Sequence, residues 1–466
     1  MRGYRPGRPS VVLGIVALAG GLLVAATAPA SAAPSAGAAP SASVPGSTYT
    51  PMVPVRICDT RAAGPGVVAN QCDVNGPNPV GPGAVRTIVA TGIAGVPAAA
   101  DAVVLHVTVT NTSATSFLTV WPAGTGQPTA SNLNWTPGLT VPNLVQTTVG
   151  ANGNVSIFNN QGTTDVVVDL DGYFQVGGGS RFAATTPTRV CDTRLGQPAN
   201  QCNHQGAASG TLGNAQTKVI NVVAGFGVPA GTAAVVLDVT ATTTSAMGYL
   251  TVWPDGAAQP LASSLNWEPG QTISNRVITP VSATGNIDLF NARGTTDLVI
   301  DLSGYYNVTG SVFGYFPVIP GRICDTRPIG PGVVSNPCNS GGPGTMPAGA
   351  AFTLTGFNAG IYALVVNVTV TNTGSAGFLT VFPDSSATIP LAADITWSPG
   401  QTIANLAAVS LGGTAALAVF NGSGWSTDVI LDVQGYYASA AIAAPAVAGR
   451  SVVMPTTATR STSHHR

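Results

Sequence analysis

Arg56, Asp59 and Arg61 stand in the hexapeptide RICDTR, and the same spacing returns as Arg189, Asp192, Arg194 and as Arg322, Asp325, Arg327. Each hexapeptide also carries a cysteine (Cys58, Cys191, Cys324), and a second cysteine follows in an N-x-C context at Cys72, Cys202 and Cys338. Late in each unit two carboxylates lie four residues apart in an apolar run: Asp165 and Asp169, Asp297 and Asp301, Asp428 and Asp432. Three chemistries are open to such a set. Paired carboxylates do acid–base work, thiolates and carboxylates hold metals, and the same groups make disulfides and ion pairs.

Spacing argues against catalysis. On one strand Asp165 and Asp169 face the same way but stand ~13 Å apart at ~3.3 Å per residue. Carboxylates that cleave glycosides sit about 5 to 9.5 Å apart. Asp171 is nearer, but Ser303 and Gln434 take its place in the other units. Histidine gives no repeated base or ligand either, because His106 aligns with Asp238 and Asn367, and His204 is the only other histidine of the body. No G-x-S-x-G elbow, phosphate loop or nucleotide fingerprint is present. The expectation is a non-enzyme with no catalytic residue, no metal and no cofactor.

The structural chemistry is better supported. Asp169, Asp301 and Asp432 interrupt apolar strands, where a carboxylate is costly unless paired. Arginine supplies a planar fork suited to that pairing. The first and last strands of each unit are therefore expected to meet, with Arg61 bonded to Asp169, Arg194 to Asp301 and Arg327 to Asp432. The repeat pattern selects one disulfide per unit, Cys58–Cys72, Cys191–Cys202 and Cys324–Cys338. Each is worth ~3 kcal/mol in the chain-entropy model.

The chain has 466 residues and only 8% are charged. Arg2, Arg5 and Arg8 precede an apolar run from Val11 to Ala28, and ASA follows at 30–32. That order is a secretory signal peptide, cut after Ala32, rather than a membrane anchor. Three of the 17 basic residues lie in this leader and three more in the tail, which leaves 11 against 18 acids in the body, net −7. Such a field repels a polyanion, so nucleic-acid binding is excluded as a function class. Secretion in turn favours disulfides over thiols or zinc.

The hexapeptide cysteines recur at a step of 133 residues, and LTVWP (118–122), LNWTPG (133–138) and TDVVVDLDGYF (164–174) recur with them. A period this long is the size of a domain, not of a solenoid turn. Runs such as AVVLHVTVT (102–110) are short, rich in Val and Thr, and bounded by Gly, Pro and Asn. The prediction is an all-β chain of three tandem antiparallel β-sandwich, jelly-roll-like domains. Their bounds are 48–178, 179–311 and 312–438, after a signal peptide (1–32) and an Ala/Pro/Ser linker (33–47) and before a flexible tail (439–466). Short Gly-rich joints suggest a row of three separately folding beads.

The order R-x-x-D-T-R, G-V-P, A-V-V-L-x-V-T, L-T-V-W-P, N-W-x-P-G-x-T and D-x-x-G-Y-[FY] resembles a repeat abundant in secreted actinobacterial proteins, usually opening RLLDTR and closing DVxGYF. The resemblance covers all three units. It implies an accessory or surface module, with no activity attached to particular residues. This chain departs from the pattern in carrying Cys where the third-position Leu usually stands.

Two functions follow as expectations. The first is a secreted, disulfide-stabilised scaffold or adhesive module. The second is a protein that binds carbohydrate or cell-wall polysaccharide through Trp135 and Asn143, Trp267 and Asn275, and Trp397 and Asn405. There, indole would stack on sugar and amide would read hydroxyls. Neither needs a membrane span in the mature chain, and the protein is expected in the medium or held loosely in the cell wall.

Overall fold

In a computed structural model the described residues are 45–439, apart from short stretches within 63–77, at 151, within 198–209, at 310, within 331–343 and at 387, together with 452–453. The signal peptide, most of the linker, most of the tail and His204 lie outside them.

The first repeat supplies β1 (Thr48–Asp59), β2 (Val85–Val89), β3 (Ala102–Thr110), β4 (Ser116–Pro122), β5 (Leu133–Trp135), β6 (Val141–Thr148), β7 (Asn154–Asn159) and β8 (Asp165–Gln175). The second supplies β9 (Arg181–Asp192), β10 (Gln216–Asn221), β11 (Ala234–Thr242), β12 (Gly248–Pro254), β13 (Leu265–Trp267), β14 (Ile273–Pro280), β15 (Asn286–Asn291) and β16 (Asp297–Asn307). The third supplies β17 (Gly314–Asp325), β18 (Ala351–Leu354), β19 (Ile361–Thr371), β20 (Gly377–Pro383), β21 (Ile395–Trp397), β22 (Ile403–Ser410), β23 (Leu417–Asn421) and β24 (Asp428–Ala438). A short β25 (Val452–Val453) adds to the edge of β18.

Each repeat makes two small antiparallel sheets. In the first repeat an inner sheet runs β1-β8-β3-β6 and an outer one β2-β7-β4-β5, and the other repeats follow the same order. The first and last strands do meet: β1 pairs β8, β9 pairs β16, and β17 pairs β24.

Strand β3 explains how the repeats assemble. Every residue from Ala102 to Thr108 is buried, so no face is left for water. Val103, Leu105, Val107 and Val109 join the core of their own repeat, together with residues of the outer sheet. Ala102 and Val104, on the opposite face, join a cluster drawn from all three repeats that includes Ala234, Val236, Ala363 and Val365. Side chains alternate across a strand, so one strand serves two cores.

The repeats therefore close on one another. Each first strand touches the sixth strand of the next repeat: β1 meets β14, β9 meets β22, and β17 meets β6. The sixth strands β6, β14 and β22 also meet one another at the centre. At one end of this pseudo-threefold axis Tyr49, Phe174, Phe182, Tyr306, Tyr315 and Tyr437 form a buried aromatic cluster, and Tyr306 and Tyr437 share a hydroxyl hydrogen bond of 2.6 Å. The G-Y-[FY] signature follows from it. A Cβ at Gly172, Gly304 or Gly435 would strike the ring of Tyr49, Phe182 or Tyr315.

The expectation of three tandem sandwich domains is thus corrected. The structure is all-β, but its six small sheets are disposed about one centre like the blades of a propeller. The described residues fall in one compact unit, and the cores of the second and third repeats are continuous. The row of separate beads fails for the same reason: the face that water would cover on a lone unit is apolar and lies against its neighbours.

Candidate functional site

The hexapeptides are fixed to the closing strands. Arg56 lies in register opposite Asp169, so both side chains leave the same face. Its Nε and Nη2 donate to the two Asp169 oxygens at 2.7 and 3.1 Å, and its Nη1 donates to Asp59 at 3.0 Å. Arg61 lies past the strand end and folds back onto Asp59, with Nη2–Oδ2 at 2.6 Å. The other units repeat this: Arg189 holds Asp301 at 2.6 Å and Arg322 holds Asp432 at 2.9 Å, while Arg194 and Arg327 each hold the hexapeptide Asp at 2.7 Å.

The expected pairing of Arg61 with Asp169, Arg194 with Asp301 and Arg327 with Asp432 is corrected by this geometry. All six residues are in ion pairs, but the first arginine of each hexapeptide, not the second, reaches the strand carboxylate. Register is the cause, because only a residue within β1 can face β8. The hexapeptide threonine is used as well. Thr60, Thr193 and Thr326 donate to Asp165, Asp297 and Asp428 at 2.8, 3.0 and 3.1 Å.

Electrostatics follow burial and partner. Burial pushes Asp59 up, but the hydrogen bonds and charge of Arg61, with Arg56, outweigh it and leave the carboxyl below its ordinary value. Asp169 and Asp432 go the other way: burial raises them despite Arg56 and Arg322. Asp171 is raised well above the usual range, first by burial and then by Asp169. Burial also pushes His106 down to about 4, helped by the charge of Arg56.

The disulfides Cys58–Cys72, Cys191–Cys202 and Cys324–Cys338 are all formed. They are consistent with an oxidising, extracellular setting. No helix among the described residues is long and apolar enough to cross a membrane. No group of His, Cys, Asp and Glu among them could hold a metal ion.

The Trp and Asn residues expected to meet sugar are buried. Trp135, Trp267 and Trp397 are 3%, 2% and 3% exposed. Trp267 and Trp397 donate their indole N–H to the Ala246 and Ser375 carbonyls. Asn143, Asn275 and Asn405 sit where β6, β14 and β22 meet. Asn143 donates to the Asn132 carbonyl at 2.6 Å and to Asn367 of the third repeat at 3.0 Å, and Asn405 accepts from the backbone of Arg276 in the second. The asparagines are closed to a ligand and the indoles show only an edge, Trp135 and Trp267 at the rims of cavities between the repeats, so the expected sugar platform is corrected to residues that serve mainly as structural posts. The tryptophans are packed in the cores of their own repeats, whereas the asparagines are covered by the neighbouring repeats that meet at the centre.

The assembly creates clefts that no single repeat has. Between the first and second repeats a cavity of 380 Å³ lies between Arg56, Arg61, Thr108, Thr110 and Thr140 on one side and Tyr249, Gln259, Ser263 and Asn266 on the other. Between the third and first repeats one of 530 Å³ has the equivalent lining: Arg322, Arg327, Thr369, Thr371 and Thr402 against Phe117, Gln127, Ser131 and Asn134. A second cavity adjoins each. One of 270 Å³ shares Thr140, Tyr249 and Asn266, and one of 390 Å³ shares Phe117, Asn134 and Thr402. Tyr249 is 38% exposed. Sequence reasoning missed this lining, although one signal was present: an aromatic just before LTVW and the Q-P-x-A-S loop occur in both of these repeats.

No family model matches the chain, and no curated protein matches it. Solved structures similar to it include a chain from the atomic structure of Sulfolobus Turreted Icosahedral Virus, 10% identical, covering 85% of this chain and 92% of that one with a TM-score of 0.19. Another is from an archaeal virus described by its triple jelly roll fold and turret assembly, 10% identical, covering 84% and 91% with a TM-score of 0.18. Likeness this slight carries no argument about the present chain.

Proposed function

We propose that this is a secreted, non-enzymatic adhesive module that holds polysaccharide in the clefts between its repeats. The observation that carries the reading is the recurrence of one lining at two junctions: an aromatic ring, side-chain amides and several hydroxyls. Neutral sugars are bound by that combination, a ring face stacking on an aromatic while amides and hydroxyls pair with sugar hydroxyls. The cleft arginines do not make it an anion site, because Asp59 and Asp169, or Asp325 and Asp432, already neutralise them.

The non-enzymatic part rests on the engagement of the paired carboxylates. Asp165 and Asp169 are each held by separate structural donors. The leader and the three disulfides support secretion, with the product in the medium or loosely held in the wall. Membership of the actinobacterial repeat family is part of the same proposal and rests on the recurring motifs.

Affinity electrophoresis of the mature protein through gels containing xylan, soluble glucan or purified cell-wall polysaccharide tests the reading. Retardation by at least one polymer is expected. It should be lost in the double variant Phe117→Ala/Tyr249→Ala with an unchanged melting temperature. Equal mobility of wild type in every gel would refute it.

A further inference from the structure

We infer that the protein cross-links polysaccharide chains, with two binding grooves per molecule and not three. The inference rests on the glycan reading above and adds valency to it. At each of two junctions one aromatic residue, Tyr249 or Phe117, lines both cavities of the pair. A groove continued past its stacking residue takes a segment of a chain rather than a single terminal sugar.

The third junction, between the second and third repeats, has lost the chemistry. Arg189, Arg194, Thr240 and Thr242 still stand on the second repeat's side. On the third repeat's side Ile389, Ala393 and Thr396 replace Gln, Ser and Asn. Ile389 is buried in an apolar cluster of the third repeat's outer sheet, and Phe378, the equivalent of Tyr249, packs against that cluster. The amides that would read hydroxyls are absent there.

The two competent grooves belong to one body whose repeats are tied by buried polar contacts, so they do not move independently. They open at different junctions around the axis. Occupation of both by different chains joins the two chains. Linked sites of this kind raise avidity only when the ligand can reach both, which a network of polymer does.

The test uses the whole mature protein and a soluble polysaccharide that retards it in gels. Wild type should bind at two sites per chain by titration calorimetry and should turn the solution turbid. Phe117→Ala and Tyr249→Ala, singly, should each bind at one site with turbidity abolished, and the double variant should not bind. Wild type that binds without turbidity, or a single variant as turbid as wild type, overturns cross-linking and leaves the glycan reading standing. A wild type retained by no polysaccharide removes both.

Discussion

Arg276 of the second repeat donates to Asp394 of the third at 2.7 Å, and both side chains are almost wholly shielded from water. Its Nη1 also lies 2.9 Å from Asp238 of its own repeat. That is a charge contact rather than an aligned hydrogen bond, since Nη1 has no hydrogen-bond partner. Leu144 and Leu406 occupy the equivalent positions in the other repeats. The triad therefore breaks the threefold pattern at its centre and ties the second repeat to the third.

Replacing Arg276 with Leu should cost about 3–5 kcal/mol, because two carboxylates are then left buried against no cation. Burial already raises both Asp238 and Asp394 despite Arg276. The triple variant Arg276→Leu/Asp238→Asn/Asp394→Asn should recover most of the loss. Urea midpoints of the two variants check this, and a triple variant no better than the single would contradict it.

Acid should weaken the protein through His106. Its folded value is about 4 against an ordinary 6.5. Between those values the folded state binds fewer protons than the unfolded one, so stability rises with pH through the window and is lost as pH falls. At pH 4 the loss is roughly 3 kcal/mol at about 1.4 kcal/mol per unit. His106→Asn, the residue at the equivalent position 367, should lose less between pH 7 and 4.5 in urea unfolding. Equal losses would show that His106 is not the group responsible.

The two hexapeptide arginines should differ. Arg189→Met leaves the strand carboxylate Asp301 without its bidentate partner and should cost about 3 kcal/mol. Arg194→Met removes a more exposed arm from Asp192, which keeps Arg189, and should cost about 1 kcal/mol. Melting of the two variants side by side decides it, and the reverse order would contradict the register of the β9–β16 pair.

A fragment of residues 179–311 should not reach the native state alone. It would expose Phe182, Val236, Arg276 and Tyr306, all of which are buried against the other repeats. The whole mature protein should melt in one transition, whereas the fragment should bind hydrophobic dye and show no cooperative melt. A sharp transition in the isolated fragment would mean that the shared centre contributes little.

Much was legible in the sequence because it depends on neighbours within one repeat. The strands follow from short Val- and Thr-rich runs between Gly and Pro. The meeting of first and last strands follows from buried carboxylates that require arginine. The disulfides follow from two cysteines per unit behind an N-terminal segment that reads as a leader, since each loop closes locally. Which arginine meets Asp169 was not legible, since a bulge between Arg56 and Cys58 sets the register and period-2 arguments cannot place it.

The association of the repeats was decided only in three dimensions. Ala102, Val104, His106 and Thr108 share one face of β3, and their mixed polarity resembles a face half open to water. It is instead the face that meets the other repeats, where Asn367 bonds to the first repeat, Asp238 faces Arg276 and burial keeps His106 uncharged. Pairwise contacts between residues more than a hundred positions apart, such as Arg276 with Asp394, leave no periodic trace along the chain. The covered asparagines and the clefts beside Tyr249 and Phe117 follow from that closure, because they belong to surfaces brought together and not to either sequence alone.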